Sequence, residues 1–319
     1  MLKIIIDKHI PFLQSQLIGI GNAELIEPEQ FTREKVKDAD ALIIRTRTHI
    51  NKELLDGTKV RFVATATIGY DHIDTDYCEQ NGIYWTACPG CNAQAVCDYV
   101  EEAINTISIH QKTTPTIGII GVGNVGEKVA LMAKKHGYNV LLNDPPKNIG
   151  VSLEEIAQKA DIITFHTPLT YNGQYPTYHL CDEKFLLLCK KNAIIINAAR
   201  GAIADEQALL KSEHKCVIDC WEGEPHINHK LLFNPNTLLA SYHIAGYSIE
   251  GKMNASHICL NKLAEYFHLP AIWNQQMADT EKLSMPEGDH LQGWLKRLTQ
   301  QMRTADFDFE KARKNYLLR

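Results

Sequence analysis

The chain has 319 residues, which is enough for two domains with separate hydrophobic cores. Hydrophobic residues make up 45% and charged residues 22%, a globular composition that argues against disorder. The net charge is -5, whereas nucleic-acid binders are usually basic, so we predict no nucleic-acid partner. No apolar run reaches the roughly 18 residues of a membrane helix, and the first residues lack a signal-peptide pattern. We therefore expect a cytoplasmic protein without a membrane partner.

The first 90 residues alternate short apolar runs with polar helical stretches. This pattern predicts strands at 3–6, 41–44, 61–64 and 83–85, and helices near 10–18, 32–38, 51–56 and 74–81. Such an alternation is typical of a parallel sheet covered by helices. A long amphipathic helix is predicted from 92 to about 111, because that segment lacks Gly and Pro and has apolar residues at helical spacing.

A second β-α series starts at Pro115. Its apolar runs predict six strands, at 116–120, 139–143, 162–165, 193–197, 216–218 and 237–240. Six such runs suit a doubly wound sheet of the dinucleotide-binding type. The pattern becomes helical from Ser248 to about His268. The last 50 or so residues are more polar, with helices near 290–303 and 307–316, and they resemble an appendage rather than a full domain.

Nine cysteines are scattered along the chain, and an odd, scattered set is not a disulfide framework. Cys88 and Cys91 form a C-x-x-C, which allows a redox pair or, together with Cys97 and several His, a metal site. A second C-x-x-C is missing, and we favour small core thiols in a reducing compartment. We predict no metal.

A glycine-rich motif follows the strand at 116–120 directly and opens a predicted helix. Gly121, Gly123 and Gly126 form G-x-G-x-x-G, with Asn124 and Val125 between the last two glycines. The first glycine permits a tight turn, the second lets backbone approach a pyrophosphate, and the third lets helix and strand pack closely. The helix N-terminus then faces the phosphate charge, so we predict a dinucleotide site.

The expected acidic partner is Asp144, which lies 23 positions after Gly121 at the end of the next predicted strand. A carboxylate there accepts hydrogen bonds from the adenosine ribose and repels a 2′-phosphate. This residue favours NAD over NADP. The alternative is a Gly-rich turn without a ligand.

Polar residues also stand beyond the C-terminal ends of the later predicted strands. Arg200 follows the strand at 193–197, Asp219 ends the next strand with Glu224 five residues later, and His243 follows the last strand. Ligands of doubly wound sheets bind at this edge. Each residue alone has a plain explanation as a loop or helix-entry group. Together, after a dinucleotide motif, they indicate a catalytic site.

The sequence resembles the D-2-hydroxyacid dehydrogenase family, and within it the branch that acts on 4-phosphoerythronate. The resemblance runs in register from residue 1 to about 270. It rests on the motifs at 64–72, 89–93, 118–126, 143–146, 166–169, 197–201, 219–225 and 243–248. Arg200-Gly201, Glu224-Pro225 and His243 are family-wide features, whereas the Asp-Pro-Pro, Trp-Glu-Gly-Glu-Pro and His-Ile-Ala-Gly-Tyr segments are more typical of this branch.

The resemblance implies a role for each site residue. Arg200 would hold the substrate carboxylate, His243 would accept the C2 hydroxyl proton, and Glu224 would orient and stabilise the imidazole. Cofactor-contacting positions match Thr167, Ala198, Ala199, Arg200, Asp219 and Gly246. Substrate-contacting positions match Thr46, Thr67 and Tyr247.

The resemblance also implies a fold of two doubly wound parallel-sheet domains. Residues 1–92, completed by about 248–270, would form a flavodoxin-like substrate domain, and residues 93–247 a Rossmann NAD-binding domain. The cleft between them would open and close. Residues 271–319 would be a short C-terminal dimerisation segment of a homodimer. Relatives in this branch carry a longer dimerisation domain, so the mode of dimerisation stays open.

The implied reaction is the NAD-dependent oxidation of 4-phospho-D-erythronate at C2 to the 2-oxo acid, in pyridoxal phosphate biosynthesis. One alternative is another small 2-hydroxy acid, such as 3-phosphoglycerate or a glyoxylate-type acid. A second alternative is a non-catalytic NAD-sensing scaffold.

The substrate phosphate needs its own cation. Arg45 and Arg47 bracket Thr46 after the strand at 41–44, and we predict that at least Arg45 binds the phosphate, with the Thr46 hydroxyl as a further donor. The alternative is a pair of solvated arginines. Arg313 and Lys314 of a partner subunit are the next candidates.

Overall fold

The computed structural model describes residues 2–17, 21–107, 114–283 and 293–318. The chain forms two compact units. The first unit comprises Met1–Asn92 with Ser248–Pro286, and the second comprises Ala93–Tyr247 with Glu287–Arg319. The residues predicted to form one dimerisation segment, 271–319, thus divide between the units, and their part in dimerisation stays a prediction. The described part of the chain holds no helix long and apolar enough to cross a membrane.

The first unit contains a five-stranded parallel sheet of order β2-β1-β3-β4-β5, which is the flavodoxin-like order. Its strands are β1 (Lys3–Asp7), β2 (Asn22–Ile26), β3 (Ala41–Ile44), β4 (Phe62–Thr65) and β5 (Tyr84–Thr86). The helices before residue 92 are α1 (Leu13–Gln16), α2 (Arg33–Val36), α3 (Lys52–Leu55) and α4 (Thr75–Gln80).

The second unit contains a seven-stranded sheet of order β12-β11-β10-β9-β6-β7-β8. All its pairs are parallel except the β7–β8 pair. Its strands are β6 (Thr116–Ile120), β7 (Asn139–Asp144), β8 (Ile149–Gly150), β9 (Ile162–Phe165), β10 (Ile194–Asn197), β11 (Lys215–Ile218) and β12 (Thr237–Ala240). Its helices up to residue 247 are α5 (Ala93–Ile107), α6 (Asn124–Lys135), α7 (Leu153–Lys159), α8 (Glu183–Leu188), α9 (Glu206–Lys211) and α10 (His229–Leu232). The predicted α/β class with two parallel sheets is confirmed.

Four helices follow residue 248. They are α11 (Ile249–Phe267), α12 (Gln275–Leu283), α13 (Trp294–Met302) and α14 (Phe309–Lys314). The first two belong to the first unit and the last two to the second. The predicted helix over 92–111 corresponds to α5, which is described from Ala93 to Ile107, and the remainder of the prediction lies outside the described residues.

The sheet of the first unit has a buried apolar layer on each face, because alternate strand residues point to opposite sides. One layer contains Ile4, Ile6 and Ile43 and is completed by α11 residues such as Leu260 and Leu263. The other contains Ile5, Leu42 and Ile44 with Leu54 and Val36, all from the first 92 residues. The first layer therefore depends on a helix that is remote in the sequence.

The C-terminal helices of the second unit are part of its core. Trp294, Leu295, Met302 and Phe309 are buried with the residues that cover the sheet. The hydroxyl of Thr299 accepts a hydrogen bond from the backbone N–H of Ala240 at 2.8 Å, so α13 satisfies a backbone donor at the end of the edge strand β12. The sequence predicted a polar appendage here, but within the described range 293–318 these helices pack into the core of the second unit.

The structure adds elements that the sequence pattern did not predict. Strand β2 lies at the edge of its sheet and is mostly part-exposed, so its segment carries no continuous apolar run. Strand β8 has only two residues and closes the sheet edge in the antiparallel direction. Helix α12 is predominantly polar, and of its residues only Ala278 is buried. Each of these elements depends on few buried side chains.

Candidate active site

The glycine-rich loop is held by backbone contacts that exclude larger residues. Gly121 has a φ of 88°, and a Cβ there would lie 2.7 Å from the carbonyl carbon of His166. A Cβ on Gly126 would lie 2.0 Å from the carbonyl oxygen of Gly121. Gly123, by contrast, has no atom within 4 Å of its Cβ position. The loop is thus tightly packed at Gly121 and Gly126 but open at Gly123. Such an opening lets a pyrophosphate approach the backbone. Asn124 and Val125 begin α6 next to this opening.

Asp144 and Thr167 lie beside this loop. The Oδ2 atom of Asp144, at the end of β7, accepts a hydrogen bond from the backbone N–H of Val122 at 2.8 Å. Lys147 donates to the carbonyl oxygen of Val122 at 2.6 Å. The Oγ1 atom of Thr167 is buried and has no hydrogen-bond partner in the described part of the chain. A buried hydroxyl of this kind requires a polar partner, and a bound dinucleotide would supply it.

Asn197 shapes the turn that carries Ala198, Ala199 and Arg200. Its buried side-chain amide donates to the carbonyl oxygens of Arg200 at 2.9 Å and Gly201 at 3.3 Å, and its Oδ1 accepts from the backbone N–H of Ala199 at 3.3 Å. No separate role was predicted for Asn197, which is the first residue of the motif at 197–201. One signal in the sequence could have identified it, because Asn197 is a polar residue at the end of the apolar strand β10.

The predicted catalytic pair, Glu224 and His243, is in direct contact. The Oε2 atom of Glu224 lies 2.7 Å from Nδ1 of His243, and its Oε1 accepts from the backbone N–H of Trp221 at 2.7 Å. Since the carboxylate accepts the Nδ1 proton, Nε2 is the nitrogen that is left to exchange a proton with a ligand. The His243 side chain remains 35% exposed, so a small molecule can reach it.

The surroundings of His243 favour its cationic form. Burial by itself lowers the pKa of the imidazole, but the Cys220 thiol and the Glu224 carboxylate raise the pKa well above its ordinary value. The Glu224 carboxylate raises the pKa of His243 because it lies 2.7 Å from Nδ1 and stabilises the positive charge of the ring. His166, in contrast, is neutral, because burial lowers its pKa to about 3.

Asp219 anchors the loop that follows β12. Its buried carboxylate accepts hydrogen bonds from the Ser241 hydroxyl at 2.7 Å and from the backbone N–H groups of Ile244 at 2.8 Å and Ala245 at 3.0 Å. Its carbonyl oxygen accepts from the N–H of His243 at 2.9 Å. His243 has a φ of 60°, an uncommon conformation for a non-glycine residue, and these contacts hold it there. A direct contact of Asp219 with the cofactor stays a prediction.

Arg200, Glu224 and His243 line one cavity of the second unit, with a volume of about 690 Å³. Its walls include the aromatic residues Tyr171 and Tyr178. Gly201 is required beside it, because a Cβ there would lie 2.0 Å from the carbonyl oxygen of Trp221. The structure therefore brings the three predicted catalytic groups to one place. Gly246 and Tyr247 lie a few residues after His243 in the same unit.

The other predicted substrate residues belong to the first unit. The guanidinium of Arg45 donates to the fully buried carboxylate of Asp7 through Nε at 2.8 Å and Nη2 at 3.1 Å. A turn follows, closed by the N–H of Thr48 on the carbonyl oxygen of Arg45 at 3.1 Å. Because of this turn, the Arg47 side chain diverges from that of Arg45, and its Nη1 atom lies 3.9 Å from Oε1 of Glu29. Sequence reasoning missed Asp7, which orients Arg45 from 38 positions away.

Thr46 and Thr67 provide hydroxyl groups in this unit. Thr46 is exposed in the turn after β3. The hydroxyl of Thr67 donates to the carbonyl oxygen of Gly69 at 2.8 Å and lies 2.7 Å from the hydroxyl of Thr65. Lys252, in the first turn of α11, is a further cation near Arg45. Burial, and then the charge of Arg45, lowers the pKa of this lysine to about 8.

The two cysteines of the C-x-x-C, Cys88 and Cys91, lie in the core of the first unit. All nine cysteines are free thiols, and Cys88 and Cys91 are buried. The Cys88 thiol donates to backbone carbonyl oxygens of Thr65 and Ala255 at 3.3 Å. Elsewhere, Cys220, Glu224 and His243 each bring a donor atom within 4.8 Å of the other two. Two members of this trio, Glu224 and His243, are already hydrogen-bonded to each other at 2.7 Å.

The chain is similar in sequence and in fold to known 2-hydroxyacid dehydrogenases. The family model for the D-isomer specific 2-hydroxyacid dehydrogenase NAD-binding domain matches residues 94–245. The chain is 48% identical to an erythronate-4-phosphate dehydrogenase of Bacteroides thetaiotaomicron, covering 85% of this chain and 82% of the relative. It is 46% identical to one of Bacteroides fragilis, covering 84% and 81%. A solved NAD⁺-bound 3-phosphoglycerate dehydrogenase of Entamoeba histolytica superimposes with a TM-score of 0.70 at 24% identity, covering 84% of this chain and 95% of that chain, which shows a shared fold.

Proposed function

Because the chain belongs to the D-isomer-specific 2-hydroxyacid dehydrogenases, with an NAD-binding domain at residues 94–245, we propose that it oxidises 4-phospho-D-erythronate at C2 to the 2-oxo acid. The observation that carries the proposed chemistry is the Glu224–His243 hydrogen bond, which shares one cavity with Arg200 at the edge of the NAD-binding sheet. The names of the relatives at 48% and 46% identity support this choice of substrate.

Bound NAD would supply the hydride acceptor for C2, and the loop of Gly121, Gly123 and Gly126 together with Asp144 and Thr167 would hold it. Arg200 binds the substrate carboxylate, because its planar guanidinium matches the two carboxylate oxygens. His243 takes the C2 hydroxyl proton on Nε2, since Nδ1 is held by Glu224. The resulting imidazolium is stabilised by the Glu224 carboxylate 2.7 Å away. Asp219 holds the loop that positions His243, and Thr167 offers its unpartnered hydroxyl to the cofactor.

We further propose that Arg45 binds the substrate phosphate, with help from the Thr46 hydroxyl. Asp7 occupies two of the five N–H donors of the guanidinium, so within the described residues three remain for an anion. Lys252 adds a second cation whose lowered pKa reflects burial and the proximity of Arg45. A phosphate dianion beside these two groups would relieve their mutual repulsion. Thr67 and Tyr247 are proposed to contact the rest of the substrate.

A substrate panel tests the proposed reaction. Formation of reduced nicotinamide is followed by absorbance with NAD and 4-phospho-D-erythronate, D-erythronate, 3-phosphoglycerate or glycolate. We expect the highest kcat/KM with 4-phospho-D-erythronate. A higher value with 3-phosphoglycerate would contradict the proposed substrate. Binding of NAD without hydride transfer to or from any acid in the panel would favour the non-catalytic scaffold.

The phosphate proposal is tested with the variant Arg45→Gln. The ratio of kcat/KM for 4-phospho-D-erythronate to that for D-erythronate is measured, because this ratio does not depend on the fraction of folded enzyme. We expect the ratio to fall at least tenfold. Arg47→Gln is the matched control. It removes the same charge two positions further along the chain, from a side chain that lies near Glu29 instead of Asp7. Equal losses for both acids in Arg45→Gln would refute this role.

We also propose that the product enters pyridoxal phosphate biosynthesis and that the protein works as a cytoplasmic homodimer. The nine free thiols support a reducing compartment. Sedimentation at micromolar concentration should give twice the chain mass of 36.0 kDa. A species of the chain mass alone would contradict the homodimer.

A further inference from the structure

A short segment near the C-terminus packs around the residues that flank His243. We define the C-terminal segment as residues 307–316. The rings of Phe307, Phe309 and Tyr316 lie 5.8, 6.5 and 6.0 Å from the ring of Tyr242, the residue directly before His243. Tyr316 also lies 6.1 Å from Tyr247 in an edge-on arrangement. The segment therefore contacts both ends of the loop that carries His243.

The same segment brings a cation to the Glu224 carboxylate. Nη1 of Arg313 lies 3.7 Å from Oε2 of Glu224, the oxygen that also contacts His243. Nη2 of Arg313 lies 2.6 Å from Oε1 of Glu310, one turn earlier on α14. The guanidinium is also 5.7 Å from the centre of the Phe309 ring. The Arg313 side chain is 29% exposed, so these neighbours restrict it.

We propose that Arg313 is a positioning residue for the Glu224–His243 pair, and that the C-terminal segment thereby forms part of the active site. This inference rests on the proposed function, because it assigns to His243 the proton transfer of hydroxy-acid oxidation. The segment belongs to the same unit as the pair, so no second subunit is required for the contact.

The physical effect of Arg313 follows from the oxygen that it shares with His243. A guanidinium beside Glu224 Oε2 offsets part of the negative charge that the imidazole meets, and it opposes a second positive charge on the ring. It thereby counteracts the neighbours that raise the pKa of His243 and keeps more of the ring neutral as a proton acceptor. Among the described residues, the other titratable or charged groups near the pair include Cys220, Asp219, Glu206, Glu222, Glu310 and Arg200.

Three variants separate the charge of Arg313 from its packing. Arg313→Gln removes the charge, Arg313→Lys keeps it, and Lys314→Gln removes an equal charge from an exposed neighbour on the same helix. For each variant, kcat/KM for oxidation is measured against pH. The titration of the His243 ring is also followed by NMR without substrate. This second measurement stays valid even if 4-phospho-D-erythronate proves not to be the substrate.

We expect Arg313→Gln to raise the pKa of His243 and move the acidic limb of the oxidation profile upward by about 0.5–1 pH unit. At pH values below the acidic limb, kcat/KM is then about three- to tenfold lower than in the wild type, and the difference disappears at high pH. Arg313→Lys should retain most of the wild-type profile, and Lys314→Gln should match wild type.

Three outcomes would overturn the proposal. An unchanged His243 titration in Arg313→Gln would show that the guanidinium does not act on the pair. An equal loss of kcat at every pH, without rescue by lysine, would indicate a packing role only. An equal shift in Lys314→Gln would indicate a general charge effect. If instead the wild-type enzyme oxidises no acid of the panel, the proposed function fails while the NMR titration still decides the role of Arg313.

Discussion

Replacing Glu224 with glutamine preserves the shape of the side chain but removes its charge. The two carboxylate oxygens accept from different donors, the Trp221 N–H and the His243 Nδ1–H, each at 2.7 Å. A glutamine has one oxygen and one NH₂ group. If the amide oxygen accepts from the Trp221 N–H, the NH₂ group faces Nδ1, which must then be unprotonated, so the ring carries its proton on Nε2 and cannot accept one there. In the opposite orientation the NH₂ group faces the Trp221 N–H. Neither orientation keeps both the Trp221 contact and the tautomer that accepts a proton on Nε2.

The expected cost combines two effects. The wrong tautomer of the imidazole, or an unsatisfied Trp221 N–H, costs about 1–3 kcal/mol, and the loss of a charge-assisted hydrogen bond to the imidazolium adds about 1 kcal/mol. A total of about 2–4 kcal/mol in the transition state corresponds to a loss of roughly 30- to 1,000-fold in kcat/KM for oxidation. The pKa of His243 should also fall toward its ordinary value, since Glu224 is one of the groups that raise it. The acidic limb of the oxidation profile then moves to lower pH.

Initial rates of nicotinamide reduction across pH measure both effects at once. Glu222→Gln is the matched control, because Glu222 lines the same cavity but its carboxylate contacts His179 at 3.0 Å. It removes the same charge and leaves the Glu224–His243 bond intact. Wild-type kcat/KM in Glu224→Gln, or an equal shift of the limb in Glu222→Gln, would refute the argument.

Three further predictions concern other site residues. His243→Ala should slow oxidation by about 10²–10⁴-fold while leaving the dissociation constant for NADH, measured by fluorescence, nearly unchanged. Full activity in this variant would exclude His243 as the base. Asp144→Ser should lower kcat/KM with NAD and raise it relative to that with NADP, and a wild-type preference for NADP would contradict the assigned role. Asp219→Asn should destabilise the second unit by about 3–5 kcal/mol in chemical denaturation, because it disrupts a buried charged acceptor of three hydrogen bonds. The exposed Asp306→Asn serves as its control, and equal stability of the two variants would refute the anchoring role.

Strands buried in the middle of each sheet could be predicted from the sequence, because burial on both faces leaves a continuous apolar run. Strand β3, with four buried residues, was predicted with its correct bounds, and β4 was displaced by one residue. Strand β2 was missed because its edge position lets polar residues remain part-exposed. Helix α12 was missed for a similar reason, since few of its residues are buried.

The catalytic groups could be placed because they follow parallel strands, whose carboxyl ends meet at one edge of a sheet. Arg200, Glu224 and His243 accordingly line one cavity. The residues that support them could not be found in this way. Asp7 reaches Arg45 across 38 positions, and Arg313 reaches Glu224 from a helix near the other end of the chain. The first contact depends on the strand order that places β1 beside β3, and the second depends on how α14 packs. The sequence has no local pattern for either.

The division of the first unit into two chain segments bears on the order in which the protein folds during synthesis. When the ribosome has made residues 1–92, the sheet layer of Ile5 and Leu42 has all its partners, but the layer of Ile4 and Ile6 still lacks α11. The intervening residues 93–247 take on the order of ten seconds at roughly 5–20 residues per second. Throughout this interval the nascent chain exposes an apolar sheet face, which is the kind of surface that chaperones bind. The N-terminal unit is thus expected to reach its native state only after most of the C-terminal sheet has been synthesised.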